Sequence, residues 1–153
     1  MTAYIWVKFV HVISATLLFG TGIGTAFFML KAYLSDSETA MVETSKHVVL
    51  ADWLFTTPAV VVQLVTGVWL MWILDVPFAS SWFVSVIGLF ALVGACWIPV
   101  VWIQVRVRNM VASGSKKTEY KSLMRTWIAL GIPAFTGVLV LFYLMISKHG
   151  MYG

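Results

Sequence analysis

The stretch "WVKFVHVISATLLFGTGIGTAFFML", Trp6 to Leu30, decides the fold. Apart from Lys8 and His11 it carries no ionisable side chain. About 20 apolar residues in helical conformation cross a hydrocarbon core of about 30 Å, so the stretch is long enough to span a membrane. It is too long for the apolar region of a leader peptide, is interrupted by Lys8 and His11, and precedes no A-x-A-like site. It is therefore expected to stay in the chain as a span.

Three further runs of the same kind follow. With the first they define spans at roughly 4–33, 51–74, 81–105 and 127–146. The composition agrees: 61% of the 153 residues are hydrophobic and 10% are charged, against about 25% charged in a soluble domain. Too few polar side chains are present to cover a water-facing surface. The runs are continuous, whereas barrel strands alternate over about 10 residues. In lipid the backbone must satisfy its own hydrogen bonds, so each run is read as a helix. The expected fold is all-α, a four-helix transmembrane bundle forming a single domain.

The connections carry the charge. Lys31, Lys46, Arg106, Arg108, Lys116, Lys117, Lys121 and Arg125 fall on one side of the membrane, and Lys8 and Lys148 on the other. The positive-inside rule places the two longer connections in the cytoplasm and both termini on the opposite, periplasmic side. This distribution explains the net charge of +4 without a nucleic-acid partner. In the first connection "SDSE", Ser35 to Glu38, reads as a capping box opening an amphipathic helix that leads into span two. Trp6, Trp72, Trp82 and Tyr143 are expected in an outer aromatic belt, and Trp53, Trp102, Tyr120 and Trp127 in an inner one.

At 100° per residue, Tyr4, Lys8, Ala15, Leu18, Gly22 and Met29 cluster within about 60° of His11. Gly20 and Gly24 lie on the opposite face as a G-x-x-x-G pair, suited to close approach of another helix or of a second copy. Ionisable residues inside a membrane are expensive, usually face the bundle interior, and are functional candidates by default. His11 therefore has two readings. It is a neutral ring hydrogen-bonded to another helix, or it is an axial ligand to haem iron, with Ala15 and Gly22 leaving room for a flat group. Lys8, one turn above, is either a partner for a haem propionate or a lysine snorkelling to the surface.

Other polar residues punctuate the spans. Asp52 is expected near the inner surface, paired with a lysine or arginine of the basic loop; the alternative is a proton-accepting carboxylate. Thr56, Thr57 and Pro58 predict a kink. Gln63, near mid-membrane, must hydrogen-bond across helices or to a ligand. Gln104 lies near the inner face. Pro99 and Pro133 interrupt spans three and four, and Cys96, the single cysteine, is read as a packing residue. His47, on the inner side, is read as an exposed helix residue, with ligation of a second haem as the alternative. His149 follows span four on the outer side. Met71 and Met145 end their spans on that side, where either is a candidate soft sixth ligand. Clustered zinc ligands, a phosphate loop and a nucleophile triad are all missing from the sequence.

The stretches "KFVHV" with "LLFGTGIGTAFFML", "VVLADWLFTTPAVVVQLVTGVWL", "ACWIPVVWIQVRVR" and "GIPAF" with "LMISK" resemble a family of small bacterial integral membrane proteins catalogued as a domain of unknown function. That resemblance covers nearly the whole chain and implies a four-helix membrane fold. In span one alone, "YIWVKFVHVISATLLFG" is similar to the first helix of HemJ-type protoporphyrinogen oxidases and, more loosely, of CopD-type membrane proteins. The HemJ-type resemblance implies a haem-binding histidine at His11, with Lys8 completing the W-x-K-x-x-H spacing. The Leu-Pro-Arg segment of that family is absent after Gly20. The functional expectation is a membrane haem b protein with a redox or electron-transfer role, a possible oxidoreductase working with a quinone, a porphyrin or a redox protein. Its site is expected in a cavity of the outer half bounded by His11, Gln63 and spans two and four. The competing expectation is a non-enzymatic subunit, assembly factor or carrier without haem.

Overall fold

The structure, a computed structural model, describes residues 2–147. Those residues form α1 (Thr2–Leu34), α2 (Glu38–Ala51), a π-helical turn (Asp52–Thr56), α3 (Thr57–Ile73), α4 (Ser81–Ala112) and α5 (Lys117–Ser147). The π-turn joins α2 to α3 without a break, so four continuous helical rods are long and apolar enough to cross a membrane. Large apolar side chains such as Phe27, Phe28, Leu54, Val65, Leu92 and Ile132 point away from the bundle. In water that surface would be untenable; in lipid it is the surface a spanning helix needs.

The helix ends follow local chemistry. Ser37 caps α2 by accepting from the Ala40 N–H, two residues beyond the serine that the capping-box pattern pointed to. Ser80 caps α4 through the Phe83 N–H. At the end of α3, Asp75 takes φ +56°. The Val76 N–H then reaches the Met71 carbonyl and the Asp75 N–H the Trp72 carbonyl. At the end of α4, Gly114 takes φ +83°, and Ser115 and Gly114 make the equivalent pair of bonds to Met110 and Val111. Both are Schellman closures, which need a left-handed residue at this point. The π-turn lies just before Pro58. Proline has no N–H for the carbonyl four residues back and its ring crowds that carbonyl, and one extra residue in the turn relieves both.

Packing is uneven along the rods. At the basic end, which holds the 34–37 and 113–116 connections, Met29, Met41, Val48, Ile103, Val107 and Met124 form a tight core in which α2 supplies a fifth helix. The Lys117–Asp36 ion pair ties the two connections together, and Lys117 also sits over the Tyr33 ring at 4.4 Å. At the opposite end a smaller cluster joins Met71, Val76, Trp82 and Val86. Between these clusters the rods run as two pairs, α1 with α3 and α4 with α5. Phe19 bridges the pairs by stacking on Phe135 at 5.3 Å and tilting against Phe142 at 5.4 Å.

Two expectations about side-chain roles are corrected here. Trp82, Tyr120 and Trp127 are core residues rather than belt residues, each 7% exposed or less; the Trp82 indole N–H donates to the Leu144 carbonyl at 2.9 Å. The close helix approach occurs at Gly137, where a Cβ would come 2.5 Å from Val93 Cγ2, and not at Gly20 or Gly24, where no described atom of another helix lies within 4 Å of a Cβ.

Candidate functional site

The polar side chains of the α1–α3 pair converge on His11. Thr66 donates its hydroxyl to the Val62 carbonyl at 2.6 Å, the usual back-bond of a helical threonine. Its oxygen is then an acceptor, and His11 Nδ1 lies 2.8 Å from it. His11 therefore carries its proton on Nδ1. The other ring nitrogen, Nε2, keeps its lone pair and lies 2.9 Å from the Gln63 amide nitrogen, which donates to it. The Gln63 Oε1 accepts from the Ser14 hydroxyl at 2.6 Å, and Ser14 is also 2.9 Å from the His11 carbonyl. The ring rests on Gly67, where a Cβ would stand 3.4 Å from Cε1. Every polar atom of this cluster has a partner, as groups in lipid require.

These contacts fix the antiparallel register of α1 on α3. His11 is level with Thr66 and Ser14 with Gln63, which places Leu18 level with Ala59 and Thr25 level with Asp52. Positions 52, 56, 59, 63 and 66 recur at helical spacing, so Asp52, Thr56, Gln63 and Thr66 share one face of the π-turn and α3. Asp52, Thr56 and Thr66 on that face are buried. The seam holds two polar stations separated by the apolar Leu18–Ala59 level.

Other candidate residues lie apart from His11. Lys8 is exposed, one turn away, with Nζ 5.4 Å from the Tyr4 ring centroid. Gly22 is eleven residues along α1, about 16 Å at 1.5 Å per residue; the small residue that meets the ring is Gly67 of α3. Met71 and Met145 are committed to the Trp82 cluster. His47 is exposed on α2. His149 lies outside the described residues. Asp52 does not pair with a cation: among the described residues the ion pairs are Lys46–Glu43 and Lys117–Asp36. It is buried instead, and accepts from the Thr56 hydroxyl at 2.8 Å. The two pockets of note, about 400 and 280 Å³, both lie at the basic end, one along Trp102, Arg106 and Asn109 and one beside Glu38 and Tyr120. The cavity expected in the other half is not among them.

Ser14, Thr66 and Gly67 were not singled out from the sequence. The available signal was spacing. Ser14 stands three residues after His11, and Thr66 three after Gln63, so each pair shares a helix face.

Comparison with known proteins adds one finding. The family of predicted integral membrane proteins designated DUF2269 matches residues 5–149. The chain belongs to this family. The match takes in all four rods and the whole His11 centre, so the family description and the apolar surface agree on a membrane protein. No curated protein and no solved structure matches the chain.

Proposed function

We propose that this DUF2269 protein is a haem b-binding protein of the bacterial inner membrane with a redox or electron-transfer role, and that His11 is an axial ligand. The supporting observation is the Thr66–His11 bond. A metal-binding histidine characteristically donates its second ring N–H to a fixed acceptor, which orients the ring and leaves the other nitrogen free to ligate. Thr66 supplies that acceptor, and Nε2 would be the nitrogen that holds the iron. Haem, when bound, supplies one-electron chemistry whose potential follows the axial ligands and their hydrogen bonds. The chain's own contribution is to hold His11 in one tautomer, to keep water away with the α1–α3 seam, and to offer Lys8 one turn above for a propionate. Gln63 must turn off Nε2 for ligation. The charge distribution supports an orientation with the basic end in the cytoplasm.

The Gln63–His11 bond supports a second reading. With Nε2 occupied at 2.9 Å, the centre is a hydrogen-bonded joint between α1 and α3 in a non-enzymatic subunit, assembly factor or carrier. Haem titration of the detergent-purified protein, beside His11→Ala and Gln63→Leu, separates the two. Under the haem reading the wild type develops a Soret band, His11→Ala does not, and Gln63→Leu binds about threefold more tightly, because one competing membrane hydrogen bond of about 0.6 kcal/mol is gone. Equal, weak absorbance in all three proteins supports the joint.

A further inference from the structure

The second polar station is not used by the His11 centre. We propose that Asp52, Thr56 and Gln104 form a proton-binding site at the basic end of the bundle, in which the Gln104 amide turns over to accept the hydrogen bond of the protonated Asp52 carboxyl. All three side chains are 3% exposed. Thr56 Oγ1 donates to Asp52 Oδ1 at 2.8 Å, and the Gln104 side chain of α4 faces the same carboxyl. Gln104 Oε1 is fully buried and has no partner among the described residues. A buried amide oxygen without a donor is rare and costly, so it calls for an explanation.

The charged groups around the site do not supply a counter-ion. On α2, Lys46 is paired with Glu43 at 2.8 Å and His47 is exposed. On α1, Lys31 is exposed at the helix end. On α4, Arg106 sits 5.1 Å over the Trp102 ring and Arg108 bonds Asn109 at 2.9 Å. Neither α3 nor the π-turn holds another ionisable side chain. A carboxylate buried with one hydrogen bond, and no cation among the described residues, is unfavourable in a low-dielectric surrounding.

One proton neutralises the buried charge and gives Gln104 Oε1 a donor. A carboxylate is acceptor-only, whereas a carboxylic acid has one O–H to donate. A proton from the water at the basic end bonds to the carboxyl oxygen that Thr56 does not hold, and the side chain goes from one negative charge to neutral. The new O–H needs an acceptor, and Gln104 Oε1 is the buried acceptor without a donor. A half-turn of the amide exchanges its N–H₂ and its oxygen in nearly the same volume. Release runs the exchange backwards. Because Asp52 opens the π-turn, the same proton acts on the joint between α2 and α3, and π-turns of this kind often mark functional positions.

The chain has three aspartates, Asp36, Asp52 and Asp75, so ¹³C-carboxyl aspartate labelling in lipid nanodiscs gives a readable NMR spectrum. The proposal expects one carboxyl at neutral pH at the shift of a protonated acid, absent in Asp52→Asn. In infrared spectra the corresponding C=O stretch moves to higher wavenumber in Gln104→Leu as its hydrogen bond is lost. An Asp52 resonance at the shift of a carboxylate at neutral pH overturns the site. A C=O stretch unmoved in Gln104→Leu overturns the role of the amide. If Asp52→Asn does not fold, the labelled wild type and Gln104→Leu still decide both points.

Discussion

His11 illustrates how a single side chain can be read from sequence up to a limit. A ring in a long apolar run stands out at once, because ionisable groups there need a reason. Its partners did not stand out. Gln63 and Thr66 lie 52 and 55 residues away, and only the rotation of α3 about its axis brings them to the ring. The tautomer is a consequence of those partners and was not legible at all. Replacing His11 by alanine removes both ring bonds and is expected to lower the stability of the detergent-solubilised protein by about 1–2 kcal/mol, at about 0.6 kcal/mol for a typical membrane hydrogen bond plus lost packing. A thermal melt measures this. Thr66→Val acts differently: it frees Nδ1, so ¹⁵N NMR of the labelled histidine should lose the single Nδ1–H tautomer expected of the wild type. An unchanged tautomer in Thr66→Val would remove Thr66 from its orienting role.

At the scale of the elements, the four rods were readable because a span announces itself by length and apolarity, although α4 (Ser81–Ala112) and α5 (Lys117–Ser147) extend past the expected 81–105 and 127–146 into the charged segments at the basic end. The faces were not. Trp82, Tyr120 and Trp127 stand at depths suited to an aromatic belt, yet they turn inward, since depth is fixed by position along the helix and facing by packing. The glycines carry the same lesson. Gly20 and Gly24 have the spacing of a helix contact, but the close approach belongs to Gly137 against Val93. Gly137→Leu is expected to destabilise the bundle by about 1–3 kcal/mol through overpacking of α4 on α5, whereas Gly20→Leu should leave the melting temperature of the monomer unchanged. A melt of both variants tests the assignment, and the reverse ranking would contradict it. Gly114 is a separate case. At φ +83° any Cβ is strained, so Gly114→Ala should cost about 1–2 kcal/mol although open space surrounds it.

The whole molecule is a bundle packed tightly at its basic end and more loosely toward the other. The tight end follows from α2, an element the sequence pattern anticipated, filling the space between α1 and α4. The charge asymmetry predicts which way the bundle sits. In a Cys96→Ser background, Ala79→Cys should react with a membrane-impermeant maleimide on intact spheroplasts, and Ser115→Cys only after permeabilisation; the opposite pattern would invert the topology. Two ionisable stations lie on one seam, His11 toward the opposite end and Asp52 at the basic end. The protein's proposed centre is His11. The most direct test is the absorption spectrum of the protein purified from haem-replete membranes, oxidised and then dithionite-reduced, beside His11→Ala. A Soret band with sharp reduced α and β bands, lost in the variant, is the predicted result. A wild-type spectrum indistinguishable from that of the variant would contradict the haem assignment and leave His11 as the joint between α1 and α3.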